Sequence, residues 1–495
     1  MRKRNLLLVA GASLAALVLT VGTAMADPPS PPSFGGLFPL TVQWSPSGLP
    51  QPAWVTNGPW TLGQGPATLD HQNKGLCDTF PGGTLQNNPG TNLMQPYYFP
   101  QIRRGPGGRL DGYFDYRIKD TDEAVAHGTS TDGGLTWSVD GVKLRLNGTC
   151  PANDSSTNAA GNGDNGQGHP FIMTVPTLPT PKTFLYTIDR VSSVGDIGGL
   201  TIHDITGGFS GLNNIEPVTT ATPVPAGITQ TSGLQNPDGI LGVVPGTGTN
   251  PLTNPTEILY LKKVKGSKSS PAAGLDPTKL CTNSQSQPYT SKNANYDRTE
   301  LRIATTADGN TFTDGGAVSG LNNPNDNAGI GGFRYVGPNG TILRQLDGSY
   351  GLFFSGGNCQ DGDSDAYHFI GYAHSRDAVH WTVDNGASNP LVQVDYTYPT
   401  TGPQKYYSGR VYGPQVLVNG LGSATMIFSG YRTGKPLPDV GTGLGVPTAY
   451  TPVATEAANY RTIMVQQLHF CIGITGPIPL LTDPTGLICP LPPAH

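Results

Sequence analysis

The chain has 495 residues and a formal net charge of -5. Only 13% of its residues are charged, and glycine (68) and proline (46) together account for 114 of them. Glycine and proline are the two poorest helix formers, which excludes coiled coils and helical solenoids. With no basic excess, and no Lys/Arg run beyond the first four residues, there is no electrostatic footprint for nucleic acid.

The first element is a targeting segment. Arg2, Lys3 and Arg4 precede an apolar run from Leu6 to Val21, and Ala24-Met25-Ala26 has the small-x-small form of a signal-peptidase site. The run is short for a membrane span, and no second long apolar stretch follows. Residues 1–26 are therefore expected to be removed on secretion, leaving no membrane anchor. Losing three cations takes the charge from -5 to -8. Residues 27–90 read as an N-terminal extension in which Leu40-Thr41-Val42-Gln43-Trp44 is a strand candidate.

From there on the pattern is short: strand-like runs of about five to eight residues between Gly, Asn, Pro and Thr turns, the signature of an all-β chain. One unit recurs five times, opening on a proline just before an apolar strand and continuing through a turn into a second, aromatic-rich strand. Unit one runs from Pro100-Gln101-Ile102 through Asp111-Gly112 to Tyr113-Phe114-Asp115-Tyr116. Unit two runs from Pro170-Phe171-Ile172 to Phe184-Leu185-Tyr186, and unit three from Pro237-Asp238-Gly239-Ile240 to Ile258-Leu259-Tyr260. Unit four runs from Pro338 to Ile342 and through Asp347-Gly348 to Tyr350-Gly351-Leu352-Phe353-Phe354. Unit five runs from Pro414-Gln415-Val416 through Asn419-Gly420 to Met426-Ile427-Phe428. Asp-Gly and Asn-Gly between apolar runs are strong hairpin signals. Each proline suits the first residue of a strand, where no ladder donor is needed.

A second marker follows the third strand of three units: Ser130-Thr131-Asp132-Gly133-Gly134-Leu135-Thr136-Trp137, Thr306-Ala307-Asp308-Gly309-Asn310-Thr311-Phe312, and Ser375-Arg376-Asp377-Ala378-Val379-His380-Trp381. The hydroxyl and carboxylate are suited to bonding within the turn backbone, and the ring to plugging the gap between layers. The first of these resembles the Asp-box of sialidase-type propellers. The shorter form resembles the same turn in five-bladed glycosidase propellers of the arabinanase and fructosidase type. The resemblance covers roughly residues 95 to 470 and is specific for architecture rather than for activity. Five repeats of four strands then give a five-bladed β-propeller over residues 91–470. Leu40–Trp44 of the extension would supply the outer strand of the last blade, and residues 471–495 form a Pro-rich C-terminal strap.

In that geometry the residues around each repeat proline and those ending each second strand line one mouth, with the Asp-turns on the opposite face. The mouth candidates are Tyr98, Phe99, Gly168, His169, Asn236, Asp238, Arg334, Tyr335, Arg410, Tyr412 and Gln415 from inner strands. Second strands add Asp115, Arg117, Asp120, Asp189, Arg190, Lys262, Lys263, Asn358, Tyr431 and Arg432. Such a mixture of Arg, Tyr and Asp/Asn suits sugar hydroxyls, with rings to stack on sugar faces. Glycoside hydrolysis needs two carboxyl groups flanking the bond. The resemblance implies carboxylates beside the inner-strand prolines, but here those positions hold Phe99, His169, Asn236, Gly337 and Gly413. Asp238, just after its proline, is the one carboxylate at that level. Its partner is expected from Asp189 or Asp115, with Asp120 and Asp70 further away. His169, Arg190, Arg334, Arg410, Tyr412 and Tyr98 are the expected ligand-binding residues.

No cofactor is expected. Asp361, Asp363 and Asp365 have the alternating start of a calcium loop, but Tyr372 stands at its twelfth position, so an acidic surface loop is the preferred reading. Neither GxSxG nor GxxxxGK[ST] occurs. Six cysteines in an oxidising compartment suggest up to three disulfides. Adjacent mouth loops would pair Cys281 with Cys359, leaving Cys77 with Cys150 and Cys471 with Cys489. The sequence thus predicts a secreted, monomeric, glycoside hydrolase-like propeller acting on a polysaccharide or glycan by carboxylate acid/base hydrolysis. The alternative is a non-catalytic carbohydrate-binding or surface-adhesion propeller.

Overall fold

The structure, a computed structural model, describes residues 40–56, 97–117, 122–145, 165–177, 179–191, 195–207, 229–264, 270, 298–321, 335–345, 347–357, 367, 369–386, 389–394, 401–408, 410–420, 422–431, 461–474 and 487–488. The expected signal segment, Asp70, Asp120, Arg334, Asn358, Arg432, the Asp361–Asp365 loop and every cysteine but Cys471 lie outside the described residues.

The strands in chain order are β1 (Leu40–Pro52), β2 (Trp54–Val55), β3 (Tyr97–Arg104), β4 (Leu110–Arg117), β5 (Asp122–Ser130), β6 (Thr136–Arg145), β7 (Asn165–Val175), β8 (Lys182–Val191), β9 (Gly195–Asp204), β10 (Thr229–Gln230), β11 (Pro237–Val243) and β12 (Thr256–Val264). They continue as β13 (Arg298–Thr306), β14 (Phe312–Ala317), β15 (Tyr335–Val336), β16 (Thr341–Arg344), β17 (Tyr350–Gly357), β18 (Phe369–Ser375), β19 (Trp381–Asn385), β20 (Val392–Gln393), β21 (Arg410–Gly420), β22 (Ser423–Tyr431), β23 (Arg461–Ile474) and β24 (Leu487–Ile488). They form a five-bladed β-propeller. From axis to rim, blade I is β3-β4-β5-β6, blade II β7-β8-β9-β10 and blade III β11-β12-β13-β14. Blade IV is β15 and β16, then β17-β18-β19, and blade V is β21-β22-β23-β1.

The ring is closed by β1, which lies antiparallel to β23 from Leu40↔Ile474 to Pro52↔Met464. Blades I and II share one continuous sheet, because β5 and β7 pair in parallel at Asp122↔Asn165 and Glu123↔Gly166. The core lies between blades. Phe171, Tyr186 and Leu200 of blade II meet Ile240, Ile258 and Tyr260 of blade III. Leu241, Leu259 and Leu301 of blade III meet Leu352, Phe354 and Phe369 of blade IV. Phe353, Ile370 and Tyr372 of blade IV meet Val416, Met426 and Phe428 of blade V. Successive residues of one strand point to opposite faces. Ile258-Leu259-Tyr260 and Phe353-Phe354 are therefore unbroken apolar runs, since each blade is buried on both sides.

The three Ser/Thr-x-Asp segments form tight turns at the ends of β5, β13 and β18. In blade I, Gly134 N–H donates to Ser130 Oγ (2.9 Å), Thr136 N–H to Asp132 Oδ1 (2.9 Å) and Trp137 Nε1 to the Gly134 carbonyl (2.8 Å). In blade III, Asn310 and Thr311 N–H donate to Asp308 Oδ1. In blade IV, Val379 and His380 N–H donate to Asp377 Oδ1. The rings that follow, Trp137, Phe312 and Trp381, are buried. Each turn is clasped by the segment leaving the preceding blade. Trp54 N–H donates to the Leu135 carbonyl, Ser232 N–H to Asn310 and Ser319 N–H to Val379, while Phe312 and Trp381 N–H return bonds to Ser232 and Ser319.

These turns titrate. Burial pushes the Asp132 and Asp308 carboxyls up, but the hydrogen bonds of Thr136 and Ser130 to the one, and of Thr311 and Asn310 to the other, outweigh it and hold both below the usual range. The His380 backbone and ring lower Asp377 as well. A carboxyl lowered on folding stabilises fully above its unfolded value of about 3.9, and that stabilisation is lost as the pH falls through the folded value. The triple variant Asp132→Asn, Asp308→Asn, Asp377→Asn is expected to melt below the wild type at neutral pH, with the gap narrowing as the pH falls below about 3.9. Parallel melting curves across that range would remove these turns from acid denaturation.

Candidate functional site

Pro100, Pro170 and Pro414 lie inside bulges rather than at strand starts, Pro237 opens β11, and Pro338 lies in the break between β15 and β16. In β3 the register passes from Tyr98↔Asp115 to Gln101↔Tyr113, in β7 from Gly168↔Ile188 to Phe171↔Tyr186, and in β21 from Tyr412↔Ser429 to Gln415↔Ile427. β11 shifts in the same way between Pro237 and Gly239. Proline lacks the N–H that the ladder needs, so an extra residue is taken up at this point. The residue before the proline turns left-handed: Phe99 (φ 45°), His169 (φ 51°), Asn236 (φ 42°) and Gly413 (φ 61°). In blade IV the inner strand breaks between β15 and β16, and Asn339, after its proline, takes the left-handed conformation (φ 60°). A non-glycine residue held there costs about 1–3 kcal/mol and needs surrounding structure to hold it.

Two of these residues are held from the neighbouring blade. Phe99 N–H donates to Ser429 Oγ of blade V (2.9 Å), and His169 N–H donates to Asp115 Oδ2 of blade I (3.2 Å). Ser429 faces Tyr412 and Asp115 faces Tyr98, so the two side chains occupy equivalent positions in their blades. Both are completely buried. The rings gather above them: Phe99 and His169 centroids are 4.1 Å apart, Phe99 and Tyr412 5.1 Å, and Tyr412 and Tyr367 5.7 Å.

The structure thus brings Asp115, His169 and Tyr412 into one cluster. Arg410, two residues before Tyr412 on β21, is fully buried too. Asp238 lies on blade III, with its carboxylate 3.9 Å from Lys263 Nζ and both side chains partly exposed (13% and 21%). Lys263 N–H donates to the Asn236 carbonyl and Asn236 Nδ2 to the Lys263 carbonyl, which ties this pair to the left-handed turn. Asp189 and Arg190 lie at the mouth end of β8, opposite Gln167 and Gly166, and Tyr98 lies opposite Asp115. Their side chains, and all of Arg334, are outside the described residues.

Further out on blade III is a network of which sequence reasoning named only Lys262 as a mouth candidate. Arg302 bonds Asp314 and Glu300, Gln235 Nε2 donates to Asp314 (2.7 Å), and Lys262 Nζ donates to Gln235 Oε1 (2.8 Å). Burial pushes the Tyr260 phenol up to about 12, so it serves as donor to Asp314 (3.0 Å). Glu300, opposite Lys262, is a carboxylate at mouth level. The signal was the alternation Glu300-x-Arg302, which puts both side chains on one blade face. Among the described residues no three His, Cys, Asp or Glu side chains group to hold a metal ion.

No family model matches the chain, and no curated protein matches it. Among solved structures, one described as a glycoside hydrolase is 13% identical, spans 83% of this chain and 91% of its own, and has a TM-score of 0.44. An N-acetylgalactosamine deacetylase from F. plautii, in complex with blood group B trisaccharide, is 10% identical over 84% of this chain and 96% of its own, with a TM-score of 0.40. An endo-1,4-beta-xylanase from Bacteroides thetaiotaomicron is 13% identical over 80% and 94%, with a TM-score of 0.38. Likenesses of this size carry no activity or ligand over to this chain.

Proposed function

We propose that this protein is a secreted, glycoside hydrolase-like propeller that takes a glycan at the mouth where the inner-strand bulges converge. The observation that carries the reading is backbone strain concentrated in one layer. Phe99, His169 and Asn236 are all left-handed there, beside Asp115, Tyr412 and the Asp238–Lys263 pair. Strain of this kind gathers at functional sites. Asp238 is the acid/base carboxylate, since its side chain is partly exposed and stands beside an ammonium. Asp115, which is buried, instead orients His169. The second carboxyl is expected from Asp189. The apolar leader with its small-x-small end supports secretion.

A specific observation favours the second reading, a non-catalytic glycan-binding propeller: none of the five residues before the repeat prolines is acidic, and Asp115 does what Ser429 does elsewhere in the ring. Incubating the mature protein with a panel of plant, microbial and cell-wall polysaccharides decides between them. Release of reducing ends is expected on at least one glycan. Binding without release would establish the second reading, and neither would remove both.

A further inference from the structure

Asn339 touches all four other blades. Its side-chain Nδ2 donates to the Phe99 carbonyl of blade I (3.0 Å) and to the Pro170 carbonyl of blade II (2.8 Å). Its backbone N–H donates to the Ile240 carbonyl of blade III (3.0 Å), and its own carbonyl accepts from Gln415 Nε2 of blade V (2.6 Å). The residue is fully buried. The inner strands close up around it: a Cβ on Gly413 would stand 3.6 Å from the Asn339 Cβ and 3.5 Å from the Phe99 Cα. Asn339-Gly340-Thr341 reads as a glycosylation sequon, but both hydrogens of this Nδ2 are already in use.

We propose that Asn339 is the positioning residue of the mouth, fixing through its amide the two left-handed aromatic residues, Phe99 and His169, that form the mouth's floor. The Phe99 carbonyl belongs to the peptide unit joining Phe99 to Pro100, so anchoring it fixes the ψ angle of a residue whose φ is already unusual. The Pro170 carbonyl anchors the peptide directly after the His169–Pro170 unit. Phe99 and His169 are the pair whose rings stand 4.1 Å apart. Two hydrogens on one atom, aimed at two carbonyls, are what a primary amide supplies and what neither a carboxylate nor an alkyl group can. The proposal rests on reading this end of the propeller as the ligand end, but its test needs no ligand.

The readout is the imidazole Cε1–H signal of His169 in protein labelled with 13C-histidine, assigned among the nine histidines by its loss in His169→Gln. The ring of Phe99 displaces this signal from its free position. In Asn339→Asp, which keeps the shape and loses the donors, and in Asn339→Leu, it is expected to lose more than half of that displacement. Thr341→Val is the control. It removes two other inter-blade bonds, Thr341 Oγ1 to the Pro414 carbonyl (2.9 Å) and Val416 N–H to Thr341 Oγ1 (3.0 Å), and is expected to lower the melting temperature while leaving the His169 signal in place. Earlier melting of the Asn339 variants with an unmoved signal would overturn the proposal, as would an equal shift in Thr341→Val. If neither Asn339 variant folds, Asn339→Ser is read in the same way. A wild type that binds no glycan would sink the reading of the mouth and leave this measurement standing.

Discussion

Gly320→Ala is expected to destabilise the protein by more than about 3 kcal/mol. Gly320 follows Ser319, the residue that clasps the blade IV turn, and has φ 85°. A Cβ there would overlap the Trp381 carbonyl oxygen. That carbonyl cannot retreat without disturbing the Trp381 N–H bond to the Ser319 carbonyl (3.0 Å), and the Trp381 ring is buried between blades III and IV. The left-handed backbone alone costs alanine about 1–2 kcal/mol. Overlap and the lost clasp add to it, at about 1 kcal/mol for each hydrogen bond. Gly233, after Ser232, stands in the same relation to the Phe312 carbonyl, so Gly233→Ala should behave alike. Gly133 is the comparison, for it is left-handed (φ 75°) with open space around it. Denaturant midpoints for the three variants separate the two causes. If Gly320→Ala costs no more than Gly133→Ala, the overlap is not what decides the loss.

Asp238→Asn is expected to reduce turnover on any glycan the wild type cleaves by about 10²–10⁴-fold, the usual contribution of a positioned acid or base. Its stability should stay within about 1 kcal/mol of the wild type, since partly exposed ion pairs such as Asp238–Lys263 contribute little. Asp115→Asn should show the reverse emphasis. Its carboxylate accepts the His169 N–H in a fully buried setting, and weakening that bond should cost about 1–3 kcal/mol. Activity would then fall only as far as His169 shifts. Initial rates and denaturation midpoints on both variants test the assignment. Full turnover in Asp238→Asn removes it from the chemistry. A large rate loss without destabilisation in Asp115→Asn would exchange the two roles.

The five hairpin units were legible because their signals are local. Short apolar runs and the Asp347-Gly348 and Asn419-Gly420 turns are set by residues a few positions apart, and so are the Ser/Thr-x-Asp turns, whose bonds span two to four residues. Asp111-Gly112, expected as the turn of unit one, lies instead inside β4, and the chain turns before it, where Gly105 N–H donates to the Arg109 carbonyl. The repeat prolines pointed to the right layer, but only Pro237 opens a strand as expected, while Pro100, Pro170 and Pro414 sit in bulges and Pro338 in a strand break. A strand start and a bulge both tolerate a missing N–H, and only the register with the neighbouring strand separates them.

The candidate site was legible as a roster and not as a set of roles. Asp115 and Asp238 look alike in sequence, each beside apolar or glycine neighbours in a strand. Closing the ring buries the first against a residue 54 positions away and leaves the second partly exposed beside Lys263. Asn339 reads locally as a turn residue after proline, because its partners lie 240 and 169 positions away, while Phe99 finds Ser429 across 330. What the sequence alone determined is the repeated unit, since short-range hydrogen bonding and short apolar runs need no distant partner. Which polar side chains face solvent and which join one blade to the next was decided by closure of the five blades around an axis, which sets residues hundreds of positions apart within hydrogen-bonding distance.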